Sequence, residues 1–119
     1  MSDERFSRTE TLIGSDALEK LNNSKVAIFG IGGVGGHVVE ALARSGVGSF
    51  LLVDSDTVDI TNINRQIVAT HSSIGKKKID VMEERIKDII LSSRKQELLS
   101  KLDKGLLQDA LDKHNLVIY

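Results

Sequence analysis

The sequence predicts an α/β fold, a Rossmann-like parallel sheet with flanking helices. The first indication is an apolar run at residues 26–29, which leads directly into five glycines at positions 30, 32, 33, 35 and 36. A helical pattern follows at once, and a second apolar run occupies residues 49–53. A buried strand, a glycine-rich turn, a helix and another buried strand are typical of a right-handed βαβ unit that holds a phosphate.

Length and composition limit the size of the domain and the classes of function. A chain of 119 residues can bury one core but is too short for the six-stranded sheet that such a turn usually opens, so we expect part of a larger domain. A net charge of −1 argues against a general electrostatic grip on nucleic acid, and the absence of cysteine excludes disulfides and thiolate zinc sites within these residues. No signal-peptide pattern and no membrane-spanning apolar run is present, so we expect a cytoplasmic protein without a membrane partner.

Residues 1–24 are predicted to form an amino-terminal arm and a helix. A short helical pattern around Arg8 ends at Gly14, and Ser15 is expected to cap the next helix. One interpretation of the arm is a solvated segment. The alternative is that Phe6 anchors it while Arg8 reaches an anion, including one on a neighbouring subunit.

The glycine turn is the predicted nucleotide site. Without a Cβ, Gly30, Gly32, Gly33 and Gly35 let the backbone turn sharply, bring its N–H groups close to phosphate oxygens and let the next helix lie tightly on its strand. The alternative is a turn that serves packing alone. Similar turns also bind nicotinamide and flavin cofactors, so the turn by itself does not choose the nucleotide.

The helices of this unit are predicted from apolar spacing. The first is expected to run to about Arg44, with Gly46 ending it, and its inner side is predicted to contain Val34, Val38, Ala41, Leu42 and Ser45. A later helix is expected to begin near Lys78, with an apolar stripe of Ile79, Met82, Ile86 and Ile89.

Two carboxylates follow the second apolar run. Asp54 stands at its end, 24 positions after Gly30, near the spacing of about 20 residues at which a carboxylate accepts the ribose hydroxyls of a bound nucleotide. The alternative interpretation of Asp54 is a turn residue. Asp56 is a further candidate, although the run of residues 54–57 also makes an ordinary turn.

Several positively charged side chains follow the second apolar run. Arg65 lies in the polar loop 61–66, and three lysines at positions 76–78 precede a helix, where positive charge opposes the helix dipole. A bound polyanion explains this placement, because the Arg65 guanidinium can contact two phosphate oxygens and a packed helix would hold Lys78. A solvated basic cluster is the alternative.

Six segments occur in an order that resembles one family. They are residues 5–8, 30–35, 43–48, 54–58, 61–66 and 75–78. The chain resembles the start of the ThiF/MoeB/HesA superfamily of ubiquitin-activating-enzyme-like adenylyltransferases over about residues 5–89. Residues 65–67 and 81–86 most resemble the tRNA threonylcarbamoyladenosine dehydratase branch.

This resemblance implies an ATP site, Mg²⁺ and a homodimer. It implies ATP on the glycine turn, its ribose on Asp54, Asn62 as a polar partner, Arg65 and Lys78 on the phosphates, and Arg8 contributed by the other subunit. In such enzymes a substrate carboxylate attacks the α-phosphorus, giving an acyl-adenylate and pyrophosphate. The resemblance implies that the carboxylate belongs either to threonylcarbamoyladenosine in tRNA or to the carboxyl-terminal glycine of a ubiquitin-like sulfur-carrier protein.

The chain departs from the family after residue 90. We interpret residues 1–119 as one truncated adenylation domain, with the ATP-binding unit at 25–90 and a charged helical tail at 91–119 that ends in a strand. The family's magnesium-holding aspartate follows such a strand, and no residue here can be assigned that role. A non-catalytic nucleotide-binding or dimerisation fragment is therefore the main alternative. An NAD-dependent oxidoreductase would leave Arg8, Arg65 and Lys78 without a common purpose.

Overall fold

The computed structural model describes residues 4–90 and two further strands at 97–99 and 116–118. A short 3-10 turn, Glu4–Phe6, precedes four elements of the amino-terminal half: α1 (Ser7–Ile13), α2 (Ser15–Asn22), β1 (Lys25–Phe29) and α3 (Gly35–Ser45). They are followed by β2 (Ser49–Val53), a 3-10 turn at Ile60–Asn62, α4 (Lys78–Ile90), β3 (Glu97–Leu99) and β4 (Leu116–Ile118). No helix in this described part is long and apolar enough to span a membrane.

The strands form one parallel sheet in the order β3-β2-β1-β4. β1 and β2 pair along their full lengths, from Lys25 opposite Ser49 to Phe29 opposite Val53. Consecutive residues of β2 from Phe50 to Val53 are buried, so this strand is covered on both faces, as a continuous apolar run in a parallel sheet requires. The predicted α/β fold with a parallel sheet and flanking helices is confirmed.

The prediction of a helix through residues 91–99 is wrong at its end. Glu97–Leu99 form β3, which pairs with the free edge of β2, and Leu98 packs against the core. An open strand edge offers unpaired backbone groups, and pairing with them overrides the helical pattern of a short segment. The strand predicted near the end of the chain is present as β4, beside β1. The rest of the predicted helical tail lies outside the described residues.

The buried face of α3 differs from the predicted one. Gly36, Val39 and Ala43 are buried, whereas Val34 is 79% exposed. Ala41 and Ser45 are exposed, and Val38 and Leu42 are only partly buried. Gly36 is the point of close approach to Ile67 and to α4, since a Cβ there would lie 3.0 Å from Ile67 Cγ2 and 3.7 Å from Met82 Cε. For α4 the stripe is as predicted at Ile79, Met82 and Ile86, with Ile90 buried in place of Ile89.

The amino-terminal arm is anchored by an aromatic ring. Phe6 is buried, and the Arg5 guanidinium lies 5.4 Å from the centre of its ring. This agrees with the anchoring part of the hypothesis, and Arg8 is exposed on α1. The expected Ser15 cap is wrong, because Gly14, with φ of +89°, occupies the cap position of α2 and no side chain caps that helix.

The start of α3 packs on the end of β1 through a glycine. A Cβ on Gly35 would overlap the carbonyl oxygen of Gly30, and it would also lie 3.5 Å from Ile28 Cγ2. The carbonyl belongs to the backbone of the turn and cannot move aside alone. Gly35 therefore sets the distance between helix and strand, as the third glycine of such turns does.

We predict that Gly35→Ala lowers the free energy of unfolding by about 3 kcal/mol, since overpacking of this severity shifts backbone. Urea unfolding of the purified chain measures this. Gly33→Ala is the matched control, because its Cβ would meet nothing closer than 3.9 Å. Equal stability of the two variants would contradict the assignment of Gly35 to close packing.

One carboxylate joins α3 to α4. Glu40 Oε1 accepts hydrogen bonds from Arg85 Nε at 2.8 Å and from Arg44 Nη2 at 3.3 Å. Burial raises the pKa of the Glu40 carboxyl, but the hydrogen bonds and charges of Arg85 and Arg44 outweigh burial and hold this pKa below its ordinary value of 4.5. Because the folded-state pKa is the lower one, the pairing stabilises the fold above the unfolded-state pKa. This contribution is lost as the pH falls through the folded-state pKa.

We expect Glu40→Gln to lower the free energy of unfolding by about 1 kcal/mol at pH 7, the scale of a partly exposed ion pair. The difference from the unsubstituted chain should shrink as the pH falls below the ordinary carboxyl pKa of 4.5. Denaturant titrations between neutral and acid pH measure this trend. A difference that stays constant with pH would rule out the ion pair as its cause.

Candidate functional site

The glycine turn links the ends of the two central strands. Gly30 follows β1 with φ of +93°, and its N–H donates to the carbonyl oxygen of Val53 at 2.8 Å. Ile31 is fully buried beneath the turn. Residues 32–34 then lead into α3. Because the turn directly follows β1, it lies at the carboxyl edge of the parallel sheet. In open α/β sheets, ligands bind at this edge.

The turn presents backbone donors that the described residues leave unused. No hydrogen bond within residues 4–90 uses the N–H groups of Gly32, Gly33, Val34 or Gly35. These groups precede or open α3, so they share the positive end of its dipole. Gly32 and Gly33 also leave open space, since an added Cβ on either would meet no atom within 3.8 Å. Free donors, a favourable dipole and open space suit an anion such as a phosphate.

Asp54 lies against this turn. Its Oδ2 accepts from the N–H of Ile31 at 2.6 Å, and its Oδ1 accepts from the N–H of Asp56 at 2.7 Å. This places a carboxylate next to the turn, and its predicted contact with ribose hydroxyls stays a prediction. Each carboxylate oxygen can accept a further hydrogen bond, so Asp54 can hold the turn and still accept hydroxyl donors.

The polar loop 61–66 is shaped by a capping box. Asp59 Oδ1 accepts from the N–H and the hydroxyl of Thr61, while Asn62 Oδ1 accepts from the N–H of Asp59 at 2.9 Å. The backbone hydrogen bond from Thr61, and then its hydroxyl, hold the pKa of the Asp59 carboxyl below its ordinary value. The carbonyl oxygen of Asn62 accepts from the N–H groups of both Arg65 and Gln66. Asn62 is thus first an organiser of the loop, with its side-chain oxygen already engaged.

Arg65 lies over the glycine turn. Its carbonyl oxygen and Cγ are 3.9 and 4.0 Å from the point where a Cβ on Gly33 would stand. Nη1 donates to the carbonyl oxygen of Thr61 at 3.1 Å and to Asn64 Oδ1 at 3.0 Å. The guanidinium is exposed and keeps further N–H donors for a ligand.

Lys78 is a buried cation beside the second carboxylate. It is the first residue of α4, its side chain is only 7% exposed, and its Nζ lies 4.0 Å from Asp56 Oδ2. The Asp56 side chain is 72% exposed, and its backbone oxygen accepts from the Lys78 N–H. A distance of 4.0 Å is too long for a strong hydrogen bond, so the ammonium has donors left for a second anion.

The structure thus connects most of the predicted site residues through a chain of contacts. The glycines of the turn meet Asp54 and Arg65, and Asp56 links the end of β2 to Lys78. No hydrogen bond or ion pair within the described residues joins Arg8 to the turn. Gln66 was not predicted as a site residue, yet it is buried beside Gly32. In the sequence, the signal for Gln66 is its place directly after Arg65 in the same polar loop.

The glycine turn offers groups that suit a phosphate. The free donors of the turn match phosphate oxygens, whereas the described residues contain no group of three or more His, Asp or Glu that could hold a metal. We therefore assign no ligand for Mg²⁺ and no step to it.

A second concave feature lies elsewhere. A cavity of about 260 Å³ is bounded by the loop 67–76 and by α4, and no predicted site residue lines it. The buried Ser73 hydroxyl in its wall donates to the carbonyl oxygen of Val68 at 2.6 Å and accepts from the Thr70 N–H at 2.8 Å. This hydroxyl is satisfied within the loop, so the cavity offers no buried polar group in need of a ligand.

Comparisons with known proteins agree with this geometry. Residues 6–119 match the ThiF family. The chain is 59% identical over 85 residues to the tRNA threonylcarbamoyladenosine dehydratase of Bacillus subtilis (strain 168), covering 71% of this chain and 34% of that protein. It is 34% identical over 116 residues to the sulfur carrier protein ThiS adenylyltransferase of Escherichia coli (strain K12), covering 96% of this chain and 46% of that one.

A solved structure also resembles this chain. The E. coli tRNA N6-threonylcarbamoyladenosine dehydratase, TcdA, in complex with ATP superposes with a TM-score of 0.85 and 34% identity, covering 97% of this chain and 48% of that one. The chain spans about a third of the length of the dehydratases that it matches in sequence. From the matched family, the identity and the shared architecture, the chain belongs to the ThiF family.

Proposed function

We propose that the chain forms the ATP-binding part of an enzyme that activates a carboxylate by adenylylation, with threonylcarbamoyladenosine in tRNA as its substrate. The observation that carries the proposal is the set of unused N–H donors on the glycine turn beneath Arg65. The similarity to dehydratases supports the choice of substrate, and the likeness to an ATP complex supports the choice of nucleotide.

Each predicted residue has a role in this proposal. The N–H groups of Gly32, Gly33 and Gly35 bind phosphate oxygens, with Gly30 making the turn, and Asp54 accepts the ribose hydroxyls. Four further residues complete the site. Asn62 keeps the loop in place, Asp56 orients Lys78, and Arg65 contacts the outer phosphates while Lys78 contacts the α-phosphate.

ATP supplies the adenylyl group and pyrophosphate as the leaving group. A substrate carboxylate oxygen bonds to the α-phosphorus, and the bond from that phosphorus to the bridging oxygen of pyrophosphate breaks. Negative charge grows on the non-bridging oxygens and on the departing group, so cations that are already in place lower the barrier without a protein nucleophile. Lys78 suits this task because its buried stem fixes the ammonium before the nucleotide arrives.

Arg8 takes its role across a homodimer in this proposal. It is exposed on α1, and the burial of Phe6 fixes the segment that carries it. An exposed arginine on an anchored arm can reach an anion that belongs to a second copy of the chain. Arg8 then adds a third catalytic cation at the phosphates of the partner subunit.

A ubiquitin-like sulfur-carrier protein is the second candidate for the carboxylate. It is favoured by the similarity to the ThiS adenylyltransferase, which covers 96% of this chain. Pyrophosphate release from ATP, measured with tRNA that carries threonylcarbamoyladenosine and separately with a carrier protein ending in glycine, distinguishes the two. Release with the carrier alone would replace the tRNA substrate, and release with neither would support a nucleotide-binding chain without catalysis.

We predict that the chain binds ATP more tightly than NAD and that Arg65→Ala weakens ATP binding about 30-fold, because a charged hydrogen bond contributes about 2 kcal/mol. Adenosine affinity should stay the same, since the lost contacts are to phosphates. Isothermal titration with both ligands measures the two affinities. Arg44→Ala is the matched control, an exposed arginine at the opposite end of α3. Equal affinity of the unsubstituted chain for ATP and adenosine would contradict the proposal.

A further inference from the structure

The Gln66 side chain is fixed against the glycine turn. It is 9% exposed, and its Nε2 lies 3.9 Å from the point where a Cβ on Gly32 would stand. Two backbone hydrogen bonds hold the residue. The Gln66 N–H donates to the backbone oxygen of Asn62 at 2.9 Å, and the Ala69 N–H donates to the backbone oxygen of Gln66 at 3.0 Å. The backbone of Gln66 is thus fixed, and its buried side-chain amide lies beside Gly32.

The side-chain oxygen of Gln66, Oε1, is buried without a hydrogen-bond partner among the described residues. Leaving a buried acceptor unpaired costs free energy, and such groups in native proteins call for an explanation. The end of the amide that lies beside Gly32 is Nε2, a donor, so Gln66 places no acceptor there to compete for the unused N–H groups of the turn.

We propose that Gln66 is a phosphate-binding residue whose Nε2 donates to a phosphoryl oxygen held on the glycine turn, an inference that rests on the proposed function. Nε2 carries two N–H donors, and the neighbouring N–H groups of Gly32 and Gly33 are also free. Donors converging from the loop and from the turn suit an anion that accepts from both sides. A neutral amide gives such a contact direction without adding charge to a site that already holds Arg65 and Lys78.

This assignment predicts opposite effects on stability and on binding. Gln66→Leu keeps most of the volume and removes the unpaired oxygen, so the melting temperature of the ligand-free chain should stay equal or rise. ATP affinity should fall about tenfold, the scale of one lost hydrogen bond to a charged group, with adenosine affinity unchanged. Differential scanning calorimetry and isothermal titration measure the two quantities on the full chain. A purely structural glutamine would lower the melting temperature and leave the ratio of ATP to adenosine affinity unchanged.

Gln66→Glu decides the question if the leucine variant does not fold. It keeps the shape but replaces the donor with a carboxylate, so at pH 8 ATP affinity should fall by more than about tenfold relative to the unsubstituted chain, with adenosine affinity unchanged. Absence of ATP binding by the unsubstituted chain would overturn the proposed function itself. Normal ATP binding by that chain, with the same ratio of ATP to adenosine affinity in the folded variant, would overturn only the role of Gln66.

Discussion

The close approach of Gly35 to the carbonyl oxygen of Gly30 is the constraint on which the rest of the site depends. It brings the first turn of α3 against the end of β1, with no room for a side chain between them. Within the part of the chain that the structure describes, the N–H groups of residues 32–35 then donate to no acceptor. A packing requirement of the βαβ unit thus produces the donor surface that an anion can use.

The loop after β2 completes this surface from the other side. Asp54 accepts from Ile31 and fixes the end of β2 to the turn, while the capping box of Asp59 and Asn62 shapes the backbone that carries Arg65. α4 then holds Lys78 in a buried position close to Asp56. The positive charges are supported by packing and backbone hydrogen bonds, so little rearrangement is needed when phosphates arrive.

Local patterns predicted the fold and the carboxylate beside the turn, because glycine spacing and apolar runs directly report strand, turn and helix. They failed where packing between elements determines which residues are buried and which segment forms a strand. The inner face of α3 contains Gly36, Val39 and Ala43 rather than the residues that the apolar spacing placed on one side. Glu97–Leu99 became a strand because β2 offered a free edge, which no local pattern reveals. Gln66 stood next to the predicted Arg65, but only the fold brings its amide to Gly32.

The central claim is that the unused N–H groups of the turn bind phosphate. Amide NMR of the ¹⁵N-labelled chain tests it most directly, with ATP, inorganic tripolyphosphate and adenosine added in separate titrations. The account predicts that the amide resonances of Gly32, Gly33 and Gly35 shift with ATP and with tripolyphosphate, and far less with adenosine. Resonances that stay in place at saturating ATP, or that move equally with adenosine, would contradict it.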